Sequence, residues 1–145
     1  MWPEPRWLLD TCVVSELSRM QPHENVVDWL RTNGPHCRLS TVTLGELVYG
    51  AHRLPPGARR DRLQSWVEEL ARQYAQRLLD TDRRVWMRFG QLKAAVEGRG
   101  RPRDDFDLLI AATALVHDLS VATRNRAHFD DIGVRLVDPW TSETA

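Results

Sequence analysis

Lysine is almost missing from this chain: Lys93 is the only one, so nearly every positive charge is a guanidinium. Guanidinium forks match planar phosphate and carboxylate groups better than an ammonium does. A GC-rich coding sequence produces the same skew and is the simpler reading. Net charge is missing too. Twenty basic residues balance twenty acidic ones, which excludes a protein that holds nucleic acid by a global positive field but leaves room for a local patch. Cysteine is scarce: Cys12 and Cys37 stand far apart, and no Cys-x-x-Cys pair offers a zinc or redox motif. A reducing, cytoplasmic setting is expected. No apolar run approaches the about 20 residues that span a bilayer, so no membrane is expected. Met1 to Trp7 holds two prolines, a glutamate and an arginine, and lacks a signal peptide's apolar core. No internal repeat or low-complexity tract is visible.

What is present reads as one domain, residues 1–145, with 42% hydrophobic and 28% charged residues and enough chain for a core without disulfides. Trp7 to Leu9 is a short apolar run ending in Asp10, a buried first strand. Val13, Val14, Leu17 and Met20 then recur at helical spacing, and a second helix runs from His23 to Thr32. Arg38 to Ser40 is a second strand, and a helix is expected from Thr43 to about Arg53, where Leu54-Pro55-Pro56-Gly57 breaks it. Ala58 to Tyr74 is amphipathic, with Leu63, Trp66, Val67, Leu70 and Tyr74 on one stripe. Arg77 to Leu79 is a third strand, and Asp82 caps a helix ending near Gly98. After the basic turn Arg99 to Arg103, Asp104 or Asp105 caps a helix to about His117 that is apolar almost all round, hence central and buried. Leu119 to Ala122 and Val134 to Val137 are the last strands. This alternation predicts an α/β fold with a mostly parallel sheet covered on both faces. The paired helices between strands two and three would form an α-hairpin arm.

Three acids sit where strands hand over to helices: Asp10, Glu46 and Asp107. In an open parallel sheet such handovers share one edge. Each acid also has a purely structural reading. Asp10 is placed to cap a helix, Thr43-Leu44-Gly45-Glu46 fits a capping box, and Asp104 to Asp107 offers the same geometry. Gathered together, caps explain less. Two carboxylates about 5 Å apart at an effective dielectric near 20 repel by about 3 kcal/mol, and a divalent cation reverses that sign. An oxygen-lined cluster suits Mg²⁺ or Mn²⁺ and phosphodiester cleavage. Asn125, after the fourth strand, offers a neutral oxygen, while His128 is left unassigned. Arg99, Arg101, Arg103, Arg124 and Arg126 flank the expected site as candidates for substrate phosphate, with a solvated charged face as the equal alternative. Cys12 has no histidine near it in sequence, so a thiolate nucleophile is unsupported.

LLDTCVVSEL, TLGELVYG, DLLIAATALVHDLSVATRNRAHF and GVRLVDPW together resemble the PIN-domain ribonucleases, specifically the VapC and FitB-like toxins of bacterial toxin–antitoxin pairs. The resemblance spans nearly the whole chain. It implies a PIN-domain three-layer α/β/α sandwich, with Mg²⁺ or Mn²⁺ held between Asp10, Glu46 and Asp107. It implies RNA hydrolysis, inhibition by a small VapB-like antitoxin that binds operator DNA, and a homodimer. Cys12 stands where that family usually has asparagine, and Asn125 where it often has a fourth aspartate. On this basis Asp10 and Asp107 bind the metal directly or through water, Glu46 holds or orients the attacking water, and Thr11 and Asn125 serve as outer-shell partners. Arg101, Arg103 and Arg124 are carried forward as phosphate contacts. The alternatives are a catalytically weak PIN module acting mainly as an antitoxin's partner, and a PIN nuclease that is not a toxin.

Overall fold

Parallel strands covered on both faces must bury consecutive residues, and β1 (Trp7–Leu9) does so, with Leu8 and Leu9 at 0% and 1% exposure. In the computed structural model, which describes residues 2–144, β1 lies in the middle of a six-stranded sheet of order β3-β2-β1-β4-β5-β6. The other strands are β2 (Cys37–Ser40), β3 (Leu78–Leu79), β4 (Ser120–Ala122), β5 (Leu136–Asp138) and β6 (Glu143–Thr144). All neighbours pair in parallel except β6, which is antiparallel to β5. The sequence pattern had no sign of β6, because two exposed residues carry no periodicity.

Side chains alternate across a strand, so Leu8 and Leu9 enter different cores. Leu9 joins Val13 and Val14 of α1 (Thr11–Glu16), Val26 of α2 (Glu24–Asn33), Leu47 of α3 (Thr41–His52) and Val67 and Leu70 of α4 (Ala58–Gln73). Leu8 joins Val96 of α5 (Arg83–Gly98) and Leu108, Ile110, Ala111 and Ala114 of α6 (Asp105–Val116). The result is the expected three layers, helix on sheet on helix. Helix α6 is buried without interruption from Leu108 to Ala114, as its all-round apolar pattern predicts. The α3–α4 hairpin does not stand off as a bare arm: its stripe is part of the Leu9 core. No described helix is long and apolar enough to cross a membrane.

Several boundaries differ from expectation, among them a fifth strand that starts at Leu136 and not Val134; two of the differences have a clear local reason. Helix α1 stops at Glu16 and not at Met20, which is 91% exposed. The Glu16 carboxylate accepts the backbone N–H of His23 at 2.8 Å and pairs with Arg19, drawing residues 17–23 into a loop. Helix α3 starts at Thr41, not Thr43, because Ser40 Oγ accepts the N–H of Val42 at 3.1 Å and caps it. The basic turn forms where α5 ends. Gly100, at φ 71°, lets Gly100 N–H reach Glu97 O and Arg101 N–H reach Val96 O, the paired bonds of a Schellman ending.

Candidate active site

With β1 between β2 and β4, the carboxyl ends of three parallel strands open onto one edge. Asp10 leaves β1 there, 4% exposed, its own N–H donating to Ala122 O of β4 at 2.9 Å. Its Oδ1 accepts Thr11 N–H at 2.8 Å, so the capping role foreseen for it is real. Its Oδ2 accepts Thr123 Oγ1 at 2.8 Å and faces Cys12 Sγ at 3.5 Å. Hydroxyl, thiol and amide dipoles therefore orient a buried carboxylate for which no ion pair is recorded among the described residues.

Glu46 projects from the second turn of α3, and its Oε1 accepts Thr11 Oγ1 at 2.7 Å. The capping-box reading of Glu46 fails, since the cap is Ser40. Burial pushes the Glu46 pKa up against the Thr11 hydrogen bond, and the charges of Asp10 and Asp104 push it the same way. Asp107 lies in the first turn of α6, whose N-cap is Asp104. Helix α6 leads into β4, so its N-terminus sits over the edge where β4 ends. Burial raises Asp107 to about 6; nearby His128 opposes this, while Asp10, Asp104 and Glu46 add to it. His128 Nδ1 lies 3.2 Å from Asp107 Oδ2. The three expected acids thus feel one another across 97 residues of sequence separation, the difference between positions 10 and 107.

Sequence reasoning missed three contributors. Thr123 is fully buried and bridges the site: its hydroxyl donates to Asp10 and accepts the backbone N–H of Asn125 at 2.9 Å. Asp104 adds negative potential, and His128 meets Asp107. The hint for Thr123 was a hydroxyl residue ending a buried strand beside β1. Asn125 is half-buried and opens the short 3-10 turn Arg126–His128 without capping it through its side chain. The arginines are engaged within the protein. Arg103 donates to the carbonyls of Arg101 at 2.9 Å and Asp130 at 2.7 Å, Arg101 approaches Asp131 at 3.5 Å, and Arg124 stacks on Trp140 at 4.5 Å. They brace the loop beside His128, and a substrate phosphate would have to compete for them.

The donor set is all oxygen, negative and short of cationic partners, which fits a hard divalent ion. Among the described residues no three His, Cys, Asp or Glu side chains stand close enough to ligate one ion together. Asp10, Glu46 and Asp107 therefore do not form a ready three-carboxylate ligand set, and an ion held here by one or two carboxylates would complete its shell with water, as Mg²⁺ commonly does. Glu46 also walls two depressions. One, of about 710 Å³, is lined by Tyr49, Trp86, Phe106 and Leu109; the other, of about 250 Å³, by Thr11, Ser15, Ser18 and Trp66.

A model of the PIN domain matches residues 7–134. The chain belongs to the PIN domain family. This PIN domain is 36% identical to Toxin FitB of Neisseria gonorrhoeae over 92% of its own length and 97% of the relative. It is 33% identical to VapC ribonuclease Y4jK of Sinorhizobium fredii, covering 92% and 96%. Among solved structures, DNA-bound VapBC from Salmonella typhimurium superposes with a TM-score of 0.79 at 28% identity, covering 93% of this PIN domain and 98% of that chain.

Proposed function

We propose that this PIN domain is a metal-dependent endoribonuclease, the toxin of a type II toxin–antitoxin pair, hydrolysing RNA phosphodiester bonds. What supports the reading is that Asp10 and Glu46 both hydrogen-bond to Thr11, while burial and the neighbouring acids raise Glu46 and Asp107, with no arginine or lysine paired to any of the three among the described residues. The ribonuclease and toxin names of relatives at 33% and 36% identity support the activity. Asp10 and Asp107 would hold Mg²⁺ or Mn²⁺, which supplies charge neutralisation and a more acidic bound water. Asp10 is held in place by Thr11 N–H and the Thr123 hydroxyl. Glu46, which accepts a hydrogen bond from Thr11, would orient the attacking water and accept its proton. Asn125, tied to Thr123 through its backbone, takes the outer position.

The partner in this reading is a cognate small antitoxin that binds DNA, supported by the DNA-bound VapBC likeness. A homodimer belongs to the same reading: Tyr49, Trp86, Met87 and Phe106 are 67%, 50%, 64% and 51% exposed, an apolar group that solvent does not favour. The test is Asp10→Asn in the chain purified free of its antitoxin. The parent is expected to fragment total cellular RNA in Mg²⁺ or Mn²⁺ and to stop in EDTA, whereas the variant folds but does not cut. Cutting by the variant, or by the parent in EDTA, overturns the scheme. A parent that binds its partner and represses the shared operator but never cuts RNA would be the weak binding module.

A further inference from the structure

Thr43 is fully buried beneath the site, one helical turn before Glu46, and its hydroxyl has a single recorded partner, Thr11 Oγ1 at 3.1 Å. Thr11 Oγ1 is also 2.7 Å from Glu46 Oε1. A threonine hydroxyl has one proton to give. An ionised carboxylate can only accept, so that proton belongs to Glu46. The contact between the two threonines, which by heavy-atom geometry alone has Thr11 donating to Thr43, must then reverse whenever Glu46 is ionised, with Thr43 donating to Thr11. The three groups form a one-directional chain from the α3 interior to the carboxylate: Thr43 O–H to Thr11 O, Thr11 O–H to Glu46 Oε1.

We propose that Thr43 is a positioning residue for the reaction, acting on Glu46 through Thr11. A valine would fill the same volume, so packing alone does not ask for a hydroxyl here. The hydroxyl holds Thr11 in the rotamer that aims its proton at Glu46, and donation into Thr11's oxygen strengthens the bond Thr11 gives onward. Without it, Thr11 keeps its donor but loses the anchor that fixes its direction. Glu46 stands on the wall shared by both depressions, so its direction decides where a water is held. This goes one residue deeper than the ribonuclease reading and rests on it only where cleavage is the readout.

The experiment compares Thr43→Val, Thr43→Ser, Thr11→Val and the Thr11→Val/Thr43→Val pair on total cellular RNA in Mg²⁺. Losing one such hydrogen bond is worth about three- to tenfold in rate. We expect Thr43→Val to lower kcat by that factor with KM little changed, and Thr43→Ser to stay within about twofold. Thr43→Val should have no added effect once Thr11 is valine, which is the signature of action through Thr11. A packing role predicts the reverse order, with Val tolerated and Ser damaging, and that order overturns the proposal. So does full additivity in the pair. A readout independent of cleavage is the Thr11 χ1 couplings by NMR in the metal-free chain: one rotamer in the parent, averaged couplings in Thr43→Val. If the parent cuts no RNA, the ribonuclease reading falls while the couplings still decide the chain; unchanged couplings in Thr43→Val sink the inference whatever the activity.

Discussion

Removing the charge of Asp107 should make the metal-free protein more stable while destroying its activity. A carboxyl whose pKa stands at about 6 in place of 3.8 opposes its own ionisation in the folded state by roughly 3 kcal/mol. The sign follows from proton counting. Between these values the folded chain holds more protons than the unfolded one, so stability falls as pH rises through the window and stays low above it. Asn cannot ionise and escapes the penalty. The opposing pull of His128 is already part of that net shift, and solvent screening of this partly exposed edge trims the gain to about 1–2 kcal/mol. For a chain near this size each kcal/mol moves Tm by about 2–4 °C. Calorimetry in EDTA at pH 7.5 should therefore show Asp107→Asn melting about 3–6 °C above the parent. At pH 5, inside that window, roughly half the gap should remain, and it should close only at and below about pH 3.8, where the carboxyl is protonated in both states. Adding Mn²⁺ should raise the parent's Tm and leave the variant's in place. A variant no more stable than the parent at pH 7.5, or a gap indifferent to pH, refutes the electrostatic account of the site.

Three further outcomes follow from groups around the site. Glu16→Ala leaves the His23 N–H without its acceptor and should cost about 1–3 kcal/mol in urea unfolding, with Glu16→Gln losing less because its amide oxygen can still accept. The Glu16 pKa is held down by that same N–H bond, so the loss should appear above the ordinary carboxylate range and fade in acid. Both thiols are pushed up to about 12 by burial, so Ellman's reagent at pH 8 should label the native chain at least about a hundredfold more slowly than the urea-unfolded chain; fast labelling of Cys12 would mean that the Asp10 neighbourhood is open to solvent. Arg103→Ala removes the donor shared by Arg101 O and Asp130 O and should speed amide exchange in residues 126–131, with Arg103→Lys rescuing it poorly because an ammonium lacks the planar fork.

The acids were legible because each falls at a strand's exit or a helix's entry, and a parallel sheet turns such positions into neighbours. The three layers were legible for a related reason: Leu8 and Leu9 are both apolar, as only a strand covered twice requires. What escaped depends on distant partners. Thr123 looks like any strand-ending threonine until β4 is laid beside β1. The capping of α3 went to Ser40 over Thr43 because the helix begins at Thr41, directly where β2 ends, with no intervening loop. His128 meets Asp107 through a 3-10 turn whose path no periodicity encodes. The arginines were visible as charge, but their internal partners are mostly backbone carbonyls, which a sequence does not display.

The bond from Thr123 to Asp10 joins positions 113 apart, and β1 gains its second neighbour only when β4 arrives. A ribosome making this chain therefore releases the first acid long before the strand that aligns it, and the wall that β4 and Thr123 supply emerges more than a hundred residues later. Until then the growing polypeptide holds scattered carboxylates and no assembled acidic edge.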